Sequence, residues 1–425
     1  MQELTQEKKE RAVLVGLSAD SMAPEERSTE ATMEELAALL DTAGGEAVGW
    51  SLQNRDTPDP GSFIGSGKAQ EIKELIAANE CELAVFDNEL SPSQMRNLTE
   101  TLGVKVLDRS GLILDIFAGR AQTREGRLQV ELAQYQYLLP RLTGMWTHLV
   151  RQTASGGKSP IGTRGPGETQ LETDRRHIRR KIQKLQEELA DVRRVRDTQR
   201  RRRQKNDVPV VALVGYTNAG KSTLLNALTG AGIHTGDRLF DTLDTTTRRL
   251  TLDDTLDILL SDTVGFIRKL PTQLVAAFKA TLEELNYADL ILHVIDVSNP
   301  DWQEQSRVTE SLIRELGVES TKRIDVYNKC DRCPMEALPR GGEGVCISAA
   351  TGEGLDALRA RMFSLLTAGE KKLTILLPFD KGALVELVHE NCRVLSTEYT
   401  ESGVRMAAVC PPELYGRLRE YIRDE

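Results

Sequence analysis

Between Val210 and Leu228 the chain passes from an apolar, β-branched stretch, Val210-Val211-Ala212-Leu213-Val214, through Gly215-Tyr216-Thr217-Asn218-Ala219-Gly220-Lys221-Ser222 into the helix-forming Thr223-Leu224-Leu225-Asn226-Ala227-Leu228. Strand, glycine-bounded loop and helix in that order match G-x-x-x-x-G-K-[ST]. This part of the chain is therefore expected to build a doubly wound sheet with a phosphate-binding loop at a strand's carboxyl end. Backbone N–H groups and the helix N-terminus of such a loop cradle phosphates, Lys221 reaches the β/γ oxygens, and the Ser222 hydroxyl ligates Mg2+. Two other glycine–lysine stretches fail the pattern. Gly65-Ser66-Gly67-Lys68 has Ser62 in place of the first glycine and Ala69 in place of the hydroxyl, and reads as a turn capping a helix from Ala69; Gly157-Lys158-Ser159 has Gln152 where the first glycine belongs.

Three further signals follow in order. Leu256–Leu260 reads as a strand ending in Ser261-Asp262-Thr263-Val264-Gly265. Asp262 at such a strand end holds Mg2+ through water, and Gly265 lets a backbone N–H meet the γ-phosphate. Asn328-Lys329-Cys330-Asp331 follows another strand, and the Asp331 carboxylate accepts from the paired N–H groups of guanine, which adenine lacks. Ser348-Ala349-Ala350 is the loop expected to back the base. Together these signals specify a GTPase unit that uses GTP and Mg2+. Among Leu239–Thr247, one threonine should supply a second hydroxyl to Mg2+, but spacing does not select it.

The net charge of -9 alone would argue against nucleic acid, yet residues 120–206 carry +12 and the remainder -21. Such asymmetry points to a basic face for a polyanion. Leu128, Leu132, Tyr135, Leu139, Leu142, Trp146 and Leu149 follow heptad spacing, and Leu171, Ile178, Ile182, Leu185, Leu189 and Val192 continue it beyond a gap. The spacing predicts an antiparallel helical hairpin, kinked at Pro140, with a glycine-rich, basic tip loop over 154–170. Arginines and lysines from Arg175 to Arg203 decorate the second helix with few aromatics between them, which favours the backbone or shape of folded RNA over stacking on single strands.

The ends are less informative. Apolar stretches at Arg11–Leu17, Cys81–Phe86 and Val104–Leu107, alternating with helical stretches at Thr32–Leu40, Ala69–Asn79 and Ser93–Thr101, suggest a small parallel α/β unit. Residues 371–425 read as β-α-β-β-α, half of a ferredoxin-like unit suited to interaction. The six cysteines lack a disulfide framework, and Cys330-x-x-Cys333 has no further ligands at zinc spacing. No run of about 18 apolar residues occurs, so a cytoplasmic protein is expected.

The stretch Gly162-Thr163-Arg164-Gly165-Pro166-Gly167-Glu168-Thr169-Gln170-Leu171-Glu172-Thr173-Asp174-Arg175-Arg176, the Gly215–Ser222 loop and Asp262-Thr263-Val264-Gly265-Phe266-Ile267 resemble the HflX family of translational GTPases. The resemblance runs from the N-terminal unit through the GTPase unit and is weaker at the C-terminus. It implies binding to the large (50S) ribosomal subunit and its rRNA, and GTP-coupled dissociation of stalled or idle ribosomes. The family's Phe-Ala-Thr-Leu-Asp falls on Phe240-Asp241-Thr242-Leu243-Asp244, which implies Thr242 as the second Mg2+ hydroxyl; Asp241 departs from the usual alanine. Lys221, Thr242 and Gly265 are then the residues assigned to the reaction. Phe266 stands where many GTPases keep a water-orienting glutamine, so slow intrinsic hydrolysis, completed by the ribosome or a cation, is expected. Asn218 resembles the K+-binding asparagine of potassium-stimulated GTPases.

The expected architecture is an α/β multidomain chain: a small α/β unit over 1–119, the basic hairpin over 120–207, a P-loop GTPase unit over 208–368 and an α+β module over 371–425, acting as a monomer. Two other functions fit the same sequence: a GTP-gated assembly or hibernation factor that binds rRNA without separating subunits, and an RNA remodeller that also uses ATP.

Overall fold

The computed structural model describes residues 9–153, 166–204, 208–230, 232, 239–240, 246–253, 256–270, 283–318, 320–334, 338–339, 344–368, 371–410 and 412–423. Its first unit is a parallel sheet in the order β2-β1-β3-β4, with β1 at Arg11–Ala19, β2 at Glu46–Arg55, β3 at Leu83–Phe86 and β4 at Lys105–Asp108. All four residues of β3 are buried, as a parallel strand covered on both faces requires. Helices α1 (Glu30–Thr42), α2 (Ser66–Ala78), α3 (Pro92–Leu102) and α4 (Arg109–Arg120) cover the sheet. Gly65 is the N-cap of α2, so the first glycine–lysine stretch opens a helix, which begins at Ser66 rather than at the expected Ala69. The sequence reading lacked β2 and α4. β2 is an edge strand, half-exposed along most of its length, and therefore has no apolar run to reveal it.

Helices α5 (Arg124–Thr153) and α6 (Pro166–Gln204) form the hairpin. Leu128 and Leu132 pack with Leu185 and Leu189, flanked by Tyr135, Ile182 and Val192. Lys181 bridges Glu131 at 3.0 Å and donates to Tyr135 at 2.8 Å. The outer end of the expected tip loop requires correction, because helix α6 already begins at Pro166 rather than after residue 170. Proline suits a first helical position, where its missing N–H would have no intrahelical partner. Residues 154–165, the remainder of that loop, lie outside the described residues.

A second face of α5, spaced for a different partner, was not foreseen. Val130, Ala133 and Tyr137 join the core of the N-terminal unit. Asp108, fully buried, accepts from Tyr137 Oη at 2.7 Å, Arg141 Nη2 at 2.9 Å and the Gly111 N–H at 2.8 Å. The foot of the hairpin is thus bolted to the start of α4.

The nucleotide unit is a six-stranded sheet in the order β10-β9-β8-β5-β7-β6, parallel except for β6 against β7. Its strands are β5 (Val210–Gly215), β6 (Thr246–Leu252), β7 (Leu256–Asp262), β8 (Leu290–Asp296), β9 (Lys322–Asn328) and β10 (Val345–Cys346). Described helices are α7 (Lys221–Thr229), α8 (Trp302–Glu315) and α9 (Leu355–Leu366). The chain winds from β5 to β7 on one side and to β8 on the other, and ligand crevices open at such switch points. The last unit places β11 (Lys371–Leu377), β12 (Arg393–Thr400) and β13 (Gly403–Cys410) in an antiparallel sheet, order β11-β13-β12, with α10 (Gly382–Asn391) and α11 (Pro412–Leu418). This is the expected β-α-β-β-α order. Among the described residues no helix is long and apolar enough to cross a membrane.

Candidate functional site

The loop after β5 turns through Asn218 at φ 60° and Gly220 at φ 91°. Only glycine takes such a value cheaply, and a Cβ at Gly220 would also lie 2.3 Å from Asn328 Nδ2. At Gly215 a Cβ would meet the Val294 carbonyl at 2.2 Å, so both motif glycines are required by close backbone approach. Lys221 Nζ is drawn under the loop by the Gly215 carbonyl at 3.2 Å and the Tyr216 carbonyl at 2.9 Å. Burial pushes Lys221 down to about 8, with Asp262 partly opposing the shift. An ammonium group so dehydrated is stabilised by an anion, which is the role that the motif assigns to it.

Asp262 and Ser222 meet directly, Ser222 Oγ donating to Asp262 Oδ2 at 2.6 Å. Thr217 Oγ1 is buried and has no hydrogen-bond partner among the described residues. A buried cation, a hydroxyl–carboxylate pair and an unpartnered hydroxyl, gathered around one helix N-terminus, fit a nucleotide phosphate with a divalent ion. Ser222 and Asp262 are the residues that would hold Mg2+. Thr242 and its neighbours Asp241, Leu243 and Asp244 lie outside the described residues.

Gly265 presses on the loop: a Cβ there would stand 2.9 Å from Thr217 Cα and 3.0 Å from Lys221 Nζ. The backbone ladder continues past it, with Thr217 N–H donating to the Phe266 carbonyl at 2.7 Å and Phe266 N–H to the Gly215 carbonyl at 3.1 Å. The remaining residues of this stretch serve packing. Thr263 donates to the Leu213 carbonyl at 2.7 Å, and Val264 and Phe266 are buried in the core.

At the base-reading side, Asn328 is structural: Nδ2 donates to the Ala219 carbonyl at 2.8 Å and Oδ1 accepts from Ala349 N–H at 3.0 Å. One buried amide therefore holds the phosphate loop and the fifth element together. Lys329, in the left-handed region at φ 63°, bridges Asp296 at 2.7 Å. Ser348 is buried and its hydroxyl accepts from Thr351 N–H at 3.2 Å, while Asp331 and Ala350 remain exposed. Of the predicted residues, Asp331 is thus the side chain left available to a base. Thr223 continues α7, and Cys330 stands one residue before Asp331.

Sequence reading missed the other half of this site. Tyr216 Oη donates to Glu35 Oε1 at 2.5 Å; Glu35 and Asp87 both bind the buried Arg109 guanidinium; and Asp87 also binds Lys269. Burial alone would lower Arg109, but Glu35 and Asp87 outweigh it and keep it charged. Phe240 packs edge-on against Phe117, ring centres 4.6 Å apart. Tyr216, Phe240, Val264 and Phe266 share one hydrophobic cluster with Leu36, Leu40, Phe117 and Tyr137. The N-terminal unit therefore touches the phosphate loop, the first segment after it and the segment beyond β7. No local pattern announces these partners, since each lies on a different element.

The sequence matches three family profiles in succession: residues 30–118 that described as GTP-binding GTPase N-terminal, 120–203 that described as GTP-binding GTPase Middle Region, and 210–329 that described as 50S ribosome-binding GTPase. It is 46% identical over 423 residues to a protein named GTPase HflX from Caldanaerobacter subterraneus subsp. tengcongensis, covering 99% of this chain and 96% of that one. To the protein of the same name from Alkalihalophilus pseudofirmus it is 43% identical, with 100% of both chains covered. To that from Escherichia coli (strain K12) it is 45% identical, with 83% of each covered.

Proposed function

This chain belongs to the HflX family of GTPases, and we propose that it binds the large ribosomal subunit through the α5–α6 hairpin, separates stalled or idle ribosomes in its GTP form, and leaves on hydrolysis. The observation that carries this reading is the shared cluster: Val130, Ala133 and Tyr137 at the foot of the hairpin pack in the same core as Tyr216, Phe240 and Phe266 of the nucleotide site. A change around the γ-phosphate is thereby transmitted to a basic rod, because packed cores shift between discrete arrangements rather than deforming freely.

In the reaction itself, Lys221 neutralises the β/γ oxygens, Gly265 offers its N–H to the γ-phosphate, and Ser222 and Thr242, with Asp262 through water, would hold Mg2+. Bound Mg2+ supplies charge neutralisation of the phosphates. Phe266 is buried in the core, so it cannot orient the attacking water, and slow intrinsic turnover follows. Asn218, exposed on the loop, is the group available to a K+ ion that would add charge there; equal turnover in KCl and NaCl would remove that role. Action as a monomer in the cytoplasm completes the reading.

Sucrose-gradient profiles of 70S ribosomes, incubated with the protein and a nonhydrolysable GTP analogue, test it. Conversion of the 70S peak to subunits is expected. Persistence of that peak with the protein bound to 50S would favour an assembly or hibernation role instead. Asp331→Asn should abolish guanine preference, since the amide can no longer accept from both N–H groups of the base; nucleotide-driven RNA unwinding that survives the substitution would favour a remodeller.

A further inference from the structure

Beside the Asn328–Asp331 segment the structure places two thiols, Cys330 and Cys346. Cys346 ends β10 and stands opposite Tyr327 in the parallel β10–β9 ladder. The chain leaves β9 at Asn328, reverses at Lys329 in the left-handed region, and returns Cys330 to the same place. Cys330 N–H donates to the Ile347 carbonyl at 3.1 Å, and its Sγ to the Tyr327 carbonyl at 3.1 Å. Cys330 is therefore laid beside the Tyr327–Cys346 pair, its Sγ on the Tyr327 carbonyl and its N–H on the residue that follows Cys346. Both cysteines are free and only partly buried. Cys333 turns elsewhere, its Sγ directed to the Val297 carbonyl at 3.3 Å.

We propose that Cys330 and Cys346 are an oxidisable pair, closed to a disulfide by hydroperoxides, and that closure weakens guanine-nucleotide binding. The proposal rests on the reading of residues 328–331 as the guanine-binding element.

Burial, and then the neighbouring Cys346, push the Cys330 thiol up to about 12. Cys330 has its Sγ engaged on the Tyr327 carbonyl, which leaves Cys346 as the group that reacts first. Its thiolate attacks a peroxide oxygen; an S–O bond forms as the O–O bond breaks, leaving a sulfenic acid and, with the proton that Cys346 gave up, one water. The Cys330 sulfur then attacks the sulfenyl sulfur, the S–S bond forms, and the departing hydroxide takes the Cys330 proton as a second water. Two thiols and one hydrogen peroxide thus become one disulfide and two waters, with two electrons passing from sulfur to oxygen.

A disulfide requires its sulfurs about 2 Å apart, nearer than two free thiols approach. Closure therefore draws Cys330 toward β10, and Asp331 follows one residue later. A carboxylate that must meet two N–H groups of a planar base at once does not tolerate such a displacement, and about tenfold weaker binding is expected.

The test uses the full chain, reduced and freed of nucleotide, with a fluorescent mant-GDP probe and a titration of hydrogen peroxide. The expected result is loss of two hydrogens by intact mass, a peptide pair joined through Cys330 and Cys346, weaker mant-GDP binding, and recovery of all three with dithiothreitol. Cys346→Ser should bind like the parent before peroxide and keep its affinity afterwards, whereas Cys333→Ser should respond as the parent does. A reduced chain that binds mant-GDP but forms no 330–346 link, or a linked chain that binds undiminished, overturns the proposal alone. A reduced chain that does not bind mant-GDP removes the guanine reading and the proposal together.

Discussion

Tyr216 donates its phenol to Glu35 at 2.5 Å and accepts from the Arg268 N–H at 2.7 Å, so one side chain of the phosphate loop ties that loop to helix α1 and to the segment beyond β7. Burial, followed by the Glu35 charge, holds this phenol far above its ordinary range, so it stays a donor at any working pH. A nucleotide loop is thereby anchored from behind by a separate folding unit. Whatever moves the loop also strains the junction with that unit.

Replacing Tyr216 by Phe keeps the ring in the shared core but removes both hydrogen bonds. Glu35 retains Arg109, so the loss should be moderate, about 1–3 kcal/mol. Urea denaturation of the two proteins measures it. A midpoint that does not move would show that the phenol contributes no net stability.

The junction should also fail in acid. Burial would raise Asp87, but Arg109, Lys269 and the hydrogen bonds from Lys269 and Ser28 outweigh it, and the carboxyl lies below its usual range. A depressed acid stabilises the fold above its unfolded value of about 3.9, and that stability is lost as pH falls through the lower, folded value. Stability measured from pH 6 downward should therefore decline below about pH 4. Asp87→Asn should be less stable at neutral pH and should flatten this decline. A variant with the parent's pH profile would assign the acid transition to other carboxylates.

Lys221 carries the opposite sign for ligand binding. With its pKa pushed down to about 8 by burial, the lysine loses above that pH the proton that lets it hold a phosphate, so affinity should fall as pH rises through about 8. About one unit above that value, binding of a GTP analogue should be roughly tenfold weaker, with proton uptake on binding. Isothermal titration in buffers of different ionisation enthalpy detects that uptake. Affinity independent of pH between 7 and 9.5 would contradict the buried, deprotonation-prone state.

Deleting residues 155–167 should separate the two halves of the protein's work. No residue assigned to the nucleotide site falls in that segment, so basal GTP hydrolysis should persist while ribosome-dependent activity is lost. Undiminished splitting of 70S ribosomes by the deletion variant would show that the tip of the hairpin is not the contacting element.

Much of the nucleotide side was legible in the order of residues. Lys221, Ser222 and Asp262, which the structure brings together, and Asp331, which it leaves exposed, could be named in advance because phosphate and guanine chemistry constrains stretches of consecutive residues, each a strand end and the loop after it. The hairpin seam was found because Leu128, Leu132, Leu185 and Leu189 repeat at helical spacing. Legibility stopped where one residue has two duties. Asn328 belongs to the guanine motif, yet its amide is spent on the Ala219 carbonyl and the Ala349 N–H. Helix α5 carries one apolar stripe for α6 and another, Val130, Ala133 and Tyr137, for the N-terminal core, and heptad spacing displays only the first.

By itself, then, the sequence determined the P-loop GTPase fold and the strand ends and loops that carry its motifs, because those depend on neighbours along the chain. Only the tertiary structure decided that Glu35 reaches Tyr216 across 181 residues and Asp87 reaches Lys269 across 182. Those pairings follow from the packing of Leu36, Phe117, Phe240 and Phe266 into one core, and apolar packing has no directional signature in a sequence. The charges could be buried there only because Arg109 and Lys269 arrive with matching carboxylates, and that match exists in space rather than along the chain.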